Sequence, residues 1–163
     1  MYDAGLVHLS ALTKLGYLNL GGTQVTSALT PLRKLTKLKT LSLAGSTVTD
    51  AALTGLVGMN GLDSLSLYGC SIGDAGMASV RTLVGLTSLD IGGTRVGDAG
   101  LGQLMALPAL ARLDLVSTPV TDAGLKHLEA FKALTRVELA GCQATLKGTD
   151  ALKKALPKVQ VNR

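Results

Sequence analysis

The sequence predicts a curved α/β solenoid in which parallel strands form a concave inner face and short helices form the outer face. The first observation is a repeat: the stretch 110–133 lies on a recognisable copy of itself when it is shifted by 24 residues in either direction. The second is a change of apolar spacing inside each copy. A fixed period of this length indicates a stack of similar layers that share one continuous core.

Within each copy, apolar residues recur every second residue at the front and every third residue at the back. Leu113 and Leu115 therefore share one face of a strand, whereas Leu125, Leu128 and Phe131 share one face of a helical segment. Parallel strands joined by right-handed helical returns place all strands on one side of the stack. Because helices pack roughly 8 to 10 Å apart and strands roughly 4.8 Å apart, the stack should curve with its strands inside.

The length of the chain fits a single domain, residues 1–163. It divides into a partial first repeat, five further repeats, and a degenerate repeat with a C-terminal cap. Their bounds are 1–14, 15–37, 38–61, 62–85, 86–109, 110–133 and 134–163.

The front half of each unit reads LxxLxL followed by a small polar residue, as in LGYLNLGGT, LKTLSLAGS, LDSLSLYGC, LTSLDIGGT, LARLDLVST and LTRVELAGC. The back half reads DAGL or a near relative. This pattern resembles the leucine-rich repeat family over nearly the whole chain, closest to the bacterial 24-residue type and the cysteine-containing subclass. The resemblance implies a right-handed, curved solenoid that binds partners on its concave sheet. At the ladder position, where most such repeats have Asn or Cys, a hydroxyl or thiol should hydrogen-bond the neighbouring turn: Thr23, Ser46, Cys70, Thr94, Thr118 and Cys142.

Composition narrows the function classes. Apolar residues make up 47% of the chain and aromatic residues only 2%, so the core must be built from Leu, Val and Ala. No apolar stretch is long enough to span a membrane, and the opening MYDAGL lacks the regions of a secretory signal, so we expect a cytoplasmic location. The net charge of +5 suggests nucleic acid or acidic membrane, but almost no aromatic residues accompany the basic ones, which disfavours nucleic acid. The basic residues gather near the two ends of the chain: Lys14, Arg33, Lys34, Lys37, Lys39, Lys147, Lys153, Lys154, Lys158 and Arg163.

Residues with catalytic or metal-binding chemistry are dispersed. Cys70 and Cys142 lie three repeats apart, which corresponds to roughly 14 Å and exceeds the reach of a disulfide. His8 and His127 occupy equivalent outer positions five repeats apart, with no relay partner. We therefore expect no enzymatic activity, no cofactor and no metal.

Acidic residues recur at one place, as Asp50, Asp74, Asp98 and Asp122, whereas the shorter unit 15–37 has Ser27 there. A carboxylate at that place can cap the helix that follows, and this is favoured over cation binding because no second oxygen ligand has the required spacing. Glycine recurs just before the ladder residue, where the chain turns out of the strand: Gly22, Gly45, Gly69, Gly93 and Gly141.

The two ends differ from the regular units. Asp3 to Leu6 align with Asp122 to Leu125, so the chain begins inside a repeat. We expect it to be a piece of a longer array, in preference to an open end covered by another chain or by self-association. At the other end, Thr149 and Asp150 should start a final helix that Pro157 stops, with Val159 and Val161 in a closing strand, and we take this C-terminus to be native.

Side chains between the buried leucines form columns on the concave face, graded from small neutral residues to charged residues. They support two interpretations of equal weight: a self-neutralising surface ladder, or a patch for a protein partner with arginines, acids and tyrosine anchors. The candidate partner-binding residues are Tyr17, Asn19, Tyr68, Ser88, Asp90, Arg112, Asp114, Arg136 and Glu138.

These observations predict a non-catalytic module that binds a protein of unknown identity through the concave sheet. One alternative is a recognition segment of a longer signalling or effector protein. A second is electrostatic binding to nucleic acid or anionic membrane through the basic ends.

Overall fold

In the computed structural model, which describes residues 3–26 and 29–163, one open sheet of seven parallel strands forms one side of the molecule. Each strand pairs with the next in chain order, and the strands are three residues long. They are β1 (Tyr17–Asn19), β2 (Thr40–Ser42), β3 (Ser64–Ser66), β4 (Ser88–Asp90), β5 (Arg112–Asp114), β6 (Arg136–Glu138) and β7 (Gln160–Asn162). The predicted α/β repeat solenoid is confirmed.

Short helices occupy the other side of the layers. The described residues form six α-helices: α1 (Asp3–Leu9), α2 (Asp50–Leu53), α3 (Asp74–Val80), α4 (Asp98–Leu104), α5 (Asp122–Leu128) and α6 (Leu146–Ala155). The unit 15–37 has the 3-10 segment Thr30–Lys34 in place of an α-helix, with Pro31 in its first turn. A second 3-10 segment, Thr54–Leu56, continues α2. The departure of Ser27 from the aspartate pattern lies outside the described residues.

The core is a stack of aliphatic layers in strict register. The central residue of each strand lies opposite its equivalent in the next, as Leu89 does with Leu113 and Leu113 with Val137. One continuous cluster of buried side chains runs through all units. The residues predicted to recur in every layer are buried in the unit 110–133: Leu110, Leu113, Leu115, Val120, Leu125, Leu128 and Phe131.

The glycines before the ladder position have the conformation for which they were singled out. All five adopt positive φ angles between 64° and 74°, a region that a side chain disfavours. In the unit 110–133 the same place is held by Ser117, with a φ of 55°. Glycine is therefore used here for its backbone freedom, and Ser117 adopts the same turn at an energetic cost.

The prediction that the recurring aspartates cap their own helices is wrong. Each is the first residue of its helix, and its carboxylate accepts a hydrogen bond from a backbone N–H 23 residues further on, in the next unit. The pairs are Asp3 with Thr26, Asp50 with Gly73, Asp74 with Gly97, Asp98 with Thr121 and Asp122 with Thr145, at 2.7 to 2.9 Å. The local cap is the preceding residue in α5, where Thr121 Oγ1 accepts from the Ala123 N–H. The aspartates therefore join adjacent layers.

Glycines in the following unit make room for these carboxylates. A Cβ added at Gly76 or Gly100 would lie 2.6 Å from Oδ1 of Asp50 or Asp74, and one at Gly124 or Gly148 would lie closer still to Asp98 or Asp122. In the sequence, two units lack this glycine: the unit that follows Ser27 has Ala52 there, and the shorter unit 15–37 has no glycine after Thr26. Aspartate in one unit and glycine in the next thus form a joint, and alanine occurs where the aspartate is missing.

The last unit closes the stack differently from the prediction. Its helix begins at Leu146 rather than at Thr149, because Thr145 Oγ1 caps it by accepting from the Gly148 N–H at 3.2 Å. The helix ends at Ala155, before Pro157, and Val161 lies in β7 as predicted. Val159, predicted for the same strand, is buried just before it. Arg163 donates to the Ala144 carbonyl at 2.8 Å and ties this strand to the outer loop.

Candidate functional site

The exposed face of the sheet presents side chains in columns, because alternate residues of a strand point to opposite sides. The register places Arg112 beside Arg136, which we call the basic column, and Asp90, Asp114 and Glu138 side by side, which we call the acidic column. The residues two positions further on form a third, apolar column of Gly92, Val116 and Ala140. The gradation of charge predicted along the sheet is therefore present at β4 to β6.

A shallow depression of about 280 Å³ lies between these columns. Its floor is formed by the buried leucines of β4 and β5, and its walls by six of the nine predicted residues: Ser88, Asp90, Arg112, Asp114, Arg136 and Glu138. Tyr17 and Asn19 lie on β1, three strands and roughly 14 Å from β4, so the structure does not bring them to the depression.

Two of the acids are held by the turn that follows their strand. Asp90 accepts from the Gly92 N–H at 3.1 Å, and Asp114 accepts from the Val116 N–H at 2.9 Å. Asn19 makes the same bond with Gly21 on β1. Such local bonds are typical of Asp and Asn at the start of turns. Sequence reasoning missed this role, although the recurrence of Asn and Asp at one position was a signal of it.

Glu138 is longer and bonds sideways instead. Its Oε1 accepts from Arg136 Nε at 2.5 Å and from Asn162 Nδ2 on β7 at 2.9 Å. The hydrogen bond from Asn162, together with that from Arg136, lowers the pKa of Glu138 below its usual value. The end of the acidic column is therefore a paired, well-stabilised carboxylate.

Asp114, in the middle of the column, is in the opposite situation. Burial raises the pKa of its carboxyl above the usual value, and the neighbouring carboxylates of Asp90 and Glu138 add to the rise, against the Val116 N–H and Arg136. Its Oδ2 accepts no hydrogen bond within the described part of the chain. Asp114 is thus a partly buried carboxylate that lacks a full set of partners.

The side chain of Arg112 is exposed, and its guanidinium makes no hydrogen bond or ion pair with any residue in 3–26 or 29–163. Of the two arginines, Arg136 forms an ion pair with Glu138, whereas the side chain of Arg112 forms none within these ranges. One ion pair therefore neutralises part of the face, and within the described residues neither Arg112 nor Asp114 takes part in an ion pair.

Tyr68 marks the edge of the charged region. It is 49% exposed, and its ring lies over the backbone of the next unit, where a Cβ added at Gly92 would be 3.0 Å from Tyr68 Cδ2. A side chain at residue 92 would therefore crowd this ring, and glycine leaves room for it beside the apolar column.

Comparison with known proteins addresses the fold. The family profile described as "Leucine Rich repeat" matches residues 86–105. An internalin (inlF) from Listeria monocytogenes has a TM-score of 0.71 at 21% identity, with 96% of this chain and 49% of that chain covered. The chain has the leucine-rich-repeat solenoid fold.

Two other solved structures resemble this leucine-rich-repeat solenoid. Internalin C2 (inlC2) from Listeria monocytogenes has a TM-score of 0.60 at 24% identity, covering 94% of this chain and 74% of that chain. The TLR13–ssRNA13 complex has a TM-score of 0.64 at 22% identity, covering 93% and 25%. The solenoid spans about half the length of the first internalin, and no curated protein matches it. Leucine-rich-repeat folds are typical of protein–protein interaction modules.

The ladder position of the leucine-rich-repeat solenoid uses two kinds of hydrogen bond. Cys70 and Cys142 donate their thiols to carbonyls of the preceding unit, Leu43 and Leu115, at 3.1 and 3.0 Å, as predicted. Thr23, Thr94 and Thr118 bond the carbonyl three residues earlier in their own unit. The hydroxyls of Ser46 and Thr118 also hydrogen-bond the thiols of Cys70 and Cys142 in the next unit, at 3.6 and 3.5 Å. Both cysteines are free, and burial raises the pKa of the Cys70 thiol. The ladder thus serves packing between and within layers.

We also searched the described ranges for a metal site and for a membrane-spanning helix. Within the described ranges, no three His, Cys, Asp or Glu residues lie close enough together to hold a metal ion. No helix in the same ranges has the length and apolarity needed to cross a membrane. The depression on the sheet is therefore the feature where several of the predicted residues meet.

Proposed function

We propose that this solenoid binds a protein partner through the concave face of its sheet, with no catalytic activity of its own. The observation that carries the proposal is Arg112, an exposed cation on the sheet whose guanidinium has no hydrogen bond or ion pair in the described structure. It lies beside Asp114, whose carboxylate is also incompletely paired. Groups of this kind are available to a partner, and desolvated charge pairs at interfaces contribute strongly to specificity.

The depression supports the same face. Its polar wall and leucine floor match the mixture of charged and apolar contacts found in protein interfaces, and Tyr68 at its margin is an aromatic side chain of the kind that anchors them.

The substitution Arg112→Glu tests this proposal. Because Arg112 has no internal partner, reversing its charge should leave the fold intact, while a partner identified by capture on the wild-type chain should bind at least about tenfold more weakly. The double variant Arg112→Glu/Arg136→Glu should weaken binding further, with loss of the internal Glu138 pair as well.

The matched control is Lys153→Glu/Lys154→Glu, two exposed residues of α6 on the convex side. It makes two charge reversals, as the double variant does, away from the sheet. Affinity should be measured by titration calorimetry after circular dichroism has shown that each variant is folded. Unchanged affinity of both concave variants would refute the proposal.

Two alternatives from the sequence can also be tested: a recognition segment of a longer protein, and electrostatic binding through the basic ends. The coverage of about half of an internalin is compatible with a recognition segment of a longer protein. The resemblance to the TLR13–ssRNA13 complex makes single-stranded RNA the natural probe for electrostatic binding. Some basic residues are already used internally, since Arg33 bonds the carbonyls of Thr54 and Gly55 and Lys39 pairs with Asp63 at 3.9 Å.

Electrostatic binding through the ends predicts affinity for RNA or anionic vesicles that falls steeply with salt and survives Arg112→Glu. Binding of neither at low salt would remove this alternative.

A further inference from the structure

The face over β4 to β6 has a pattern across the strands as well as along them. The basic column comes first, the acidic column second and the apolar column third, each two residues from the last. Two residues of strand span about 6.6 Å, so the three columns together cover about 13 Å. An α-helix with its side chains is about 10 to 12 Å wide. The width of the pattern therefore suits one helix laid across the strands.

The spacing along the columns points to the same occupant. Neighbouring acids are one strand apart, about 4.8 Å, so the three span about 9.6 Å. Three residues that follow one stripe of a helix, one per turn, span about 10.8 Å, and flexible lysine or arginine side chains absorb the small difference. Three same-face residues of an extended strand span about 13 Å. A helix therefore matches the repeat of the sheet and an extended segment does not.

The unused bonding capacity of the face indicates the charges of the occupant. Arg112 offers its whole guanidinium, Asp114 offers Oδ2, and Glu138 offers Oε2, all without partners in the described residues. On the other side, half-buried Val116 and exposed Ala140 continue toward the ring of Tyr68. The complement is a helix with a basic stripe, an acidic residue on one side of it and apolar residues on the other.

We propose that the partner contacts this face with an amphipathic α-helix lying across β4 to β6, with Lys or Arg at positions i, i+4 and i+7 over the acidic column. An acidic residue of that helix pairs with Arg112, and its apolar side packs on Val116, Ala140 and Tyr68. This inference rests on the proposed function, since it specifies the partner of the same concave face.

Selection from two displayed peptide libraries of equal length tests the inference. One library has a helical scaffold randomised on one face, and the other is extended. The bait is the full chain, with counter-selection on Asp90→Asn/Asp114→Asn, which keeps an oxygen for the turn N–H groups but removes both charges. Helical clones with the basic stripe should be enriched and should bind this variant at least about tenfold more weakly.

The other outcomes are equally informative. Three outcomes would refute the inference of a basic helix. They are enrichment of extended clones, enrichment of helical clones without the basic stripe, and absence of any clone that prefers the wild type to the variant. If those other clones still lose affinity on Arg112→Glu, the concave face remains the binding face and only this inference fails. If selected clones and the natural partner both ignore every concave substitution, the proposed function fails as well.

Discussion

Ser117 adopts a backbone conformation that glycine adopts at the same place in five other units. For an L-residue the left-handed region brings Cβ close to the following carbonyl oxygen, at a cost of about 1 to 2 kcal/mol. The Ser117 hydroxyl makes no hydrogen bond in the described structure that would offset this cost. The site is therefore a local source of instability that one substitution removes.

We expect Ser117→Gly to raise the free energy of unfolding by about 1 kcal/mol, since glycine adopts this conformation without strain. Gly93→Ser, the reverse change in the preceding unit, should lower it by a similar amount. Urea unfolding followed by circular dichroism measures both. Equal stability of the three proteins would contradict a cost of conformation at this turn.

Two acids of the acidic column should respond to pH in opposite directions. The raised pKa of Asp114 means that the folded protein binds its proton more readily than the unfolded chain, so the charged form costs stability, and that cost disappears as pH falls through the raised value. The lowered pKa of Glu138 means that its charged form adds stability above its unfolded pKa, and this is lost as pH falls through the folded value.

Asp114→Asn should therefore raise the urea midpoint at about pH 7, with a smaller gain at about pH 3, where the unfolded and folded carboxyls are largely protonated. Glu138→Gln, its matched control in the next strand, should lower the midpoint at about pH 7 and have a smaller effect at about pH 3. Shifts of the same sign for both variants would contradict the electrostatic difference between the two positions.

At the scale of elements, the helices are coupled through the joint of aspartate and glycine. Asp98 begins α4, and its carboxylate bonds the Thr121 N–H and hydroxyl at 2.9 and 2.6 Å while lying against Gly124 in α5. The strands and helices of the repeats could be predicted because each unit has the same spacing of apolar residues. The joint could not be predicted in this way, because its aspartate contacts residues 23 and 26 positions further along the chain. From sequence alone, the same aspartate could equally have capped its own helix.

Gly124→Ala should destabilise the chain by about 1 to 3 kcal/mol, because the added methyl overlaps the Asp98 carboxylate. In Asp98→Ser/Gly124→Ala, which reproduces the natural Ser27 and Ala52, the overlap is gone and alanine favours the helix. A double-mutant cycle by urea unfolding should give a coupling energy of about 1 kcal/mol or more. Additive effects would show that the two residues act independently.

At the scale of the whole molecule, stability should be graded along the stack. A layer inside the array contacts two neighbours, whereas β1 pairs only with β2 among the described strands. The unit that contains β1 also has a 3-10 segment in place of an α-helix. In a stack stabilised by nearest-neighbour contacts, such a layer opens more readily than the interior ones.

Hydrogen exchange measured by NMR should show this gradient. The amides of Ile91 and Leu115, which bond the next strand at 3.0 and 2.9 Å, should exchange most slowly, and the equivalent amide of Leu20 should exchange faster despite a bond of 2.8 Å. Equal protection at the three positions would indicate that the chain opens as a single unit.

The candidate face was predictable in outline because strand alternation dictates which residues point outward. That rule places Arg112, Asp114, Arg136 and Glu138 together, as observed. It does not reveal that Arg136 pairs with Glu138 while Arg112 stays unpaired, since rotamers and the position of Asn162 on β7 decide this. Individual bonds of exposed side chains depend on geometry that periodicity does not specify.

The joint of aspartate and glycine gives the array a rule for growth. A duplicated unit that brings both its aspartate and its glycine fits between any two regular neighbours, because each of its two borders then meets the complementary residue. The border between the units that contain Ser27 and Ala52 is different. If the first of these units had aspartate, its carboxylate would meet the methyl group of Ala52. The helix α6 begins with Leu146 in the place of the aspartate, so this unit does not have the carboxylate that forms the joint. New copies are therefore compatible in the middle of this chain and incompatible at its irregular border, so lengthening by duplication has preferred points of insertion.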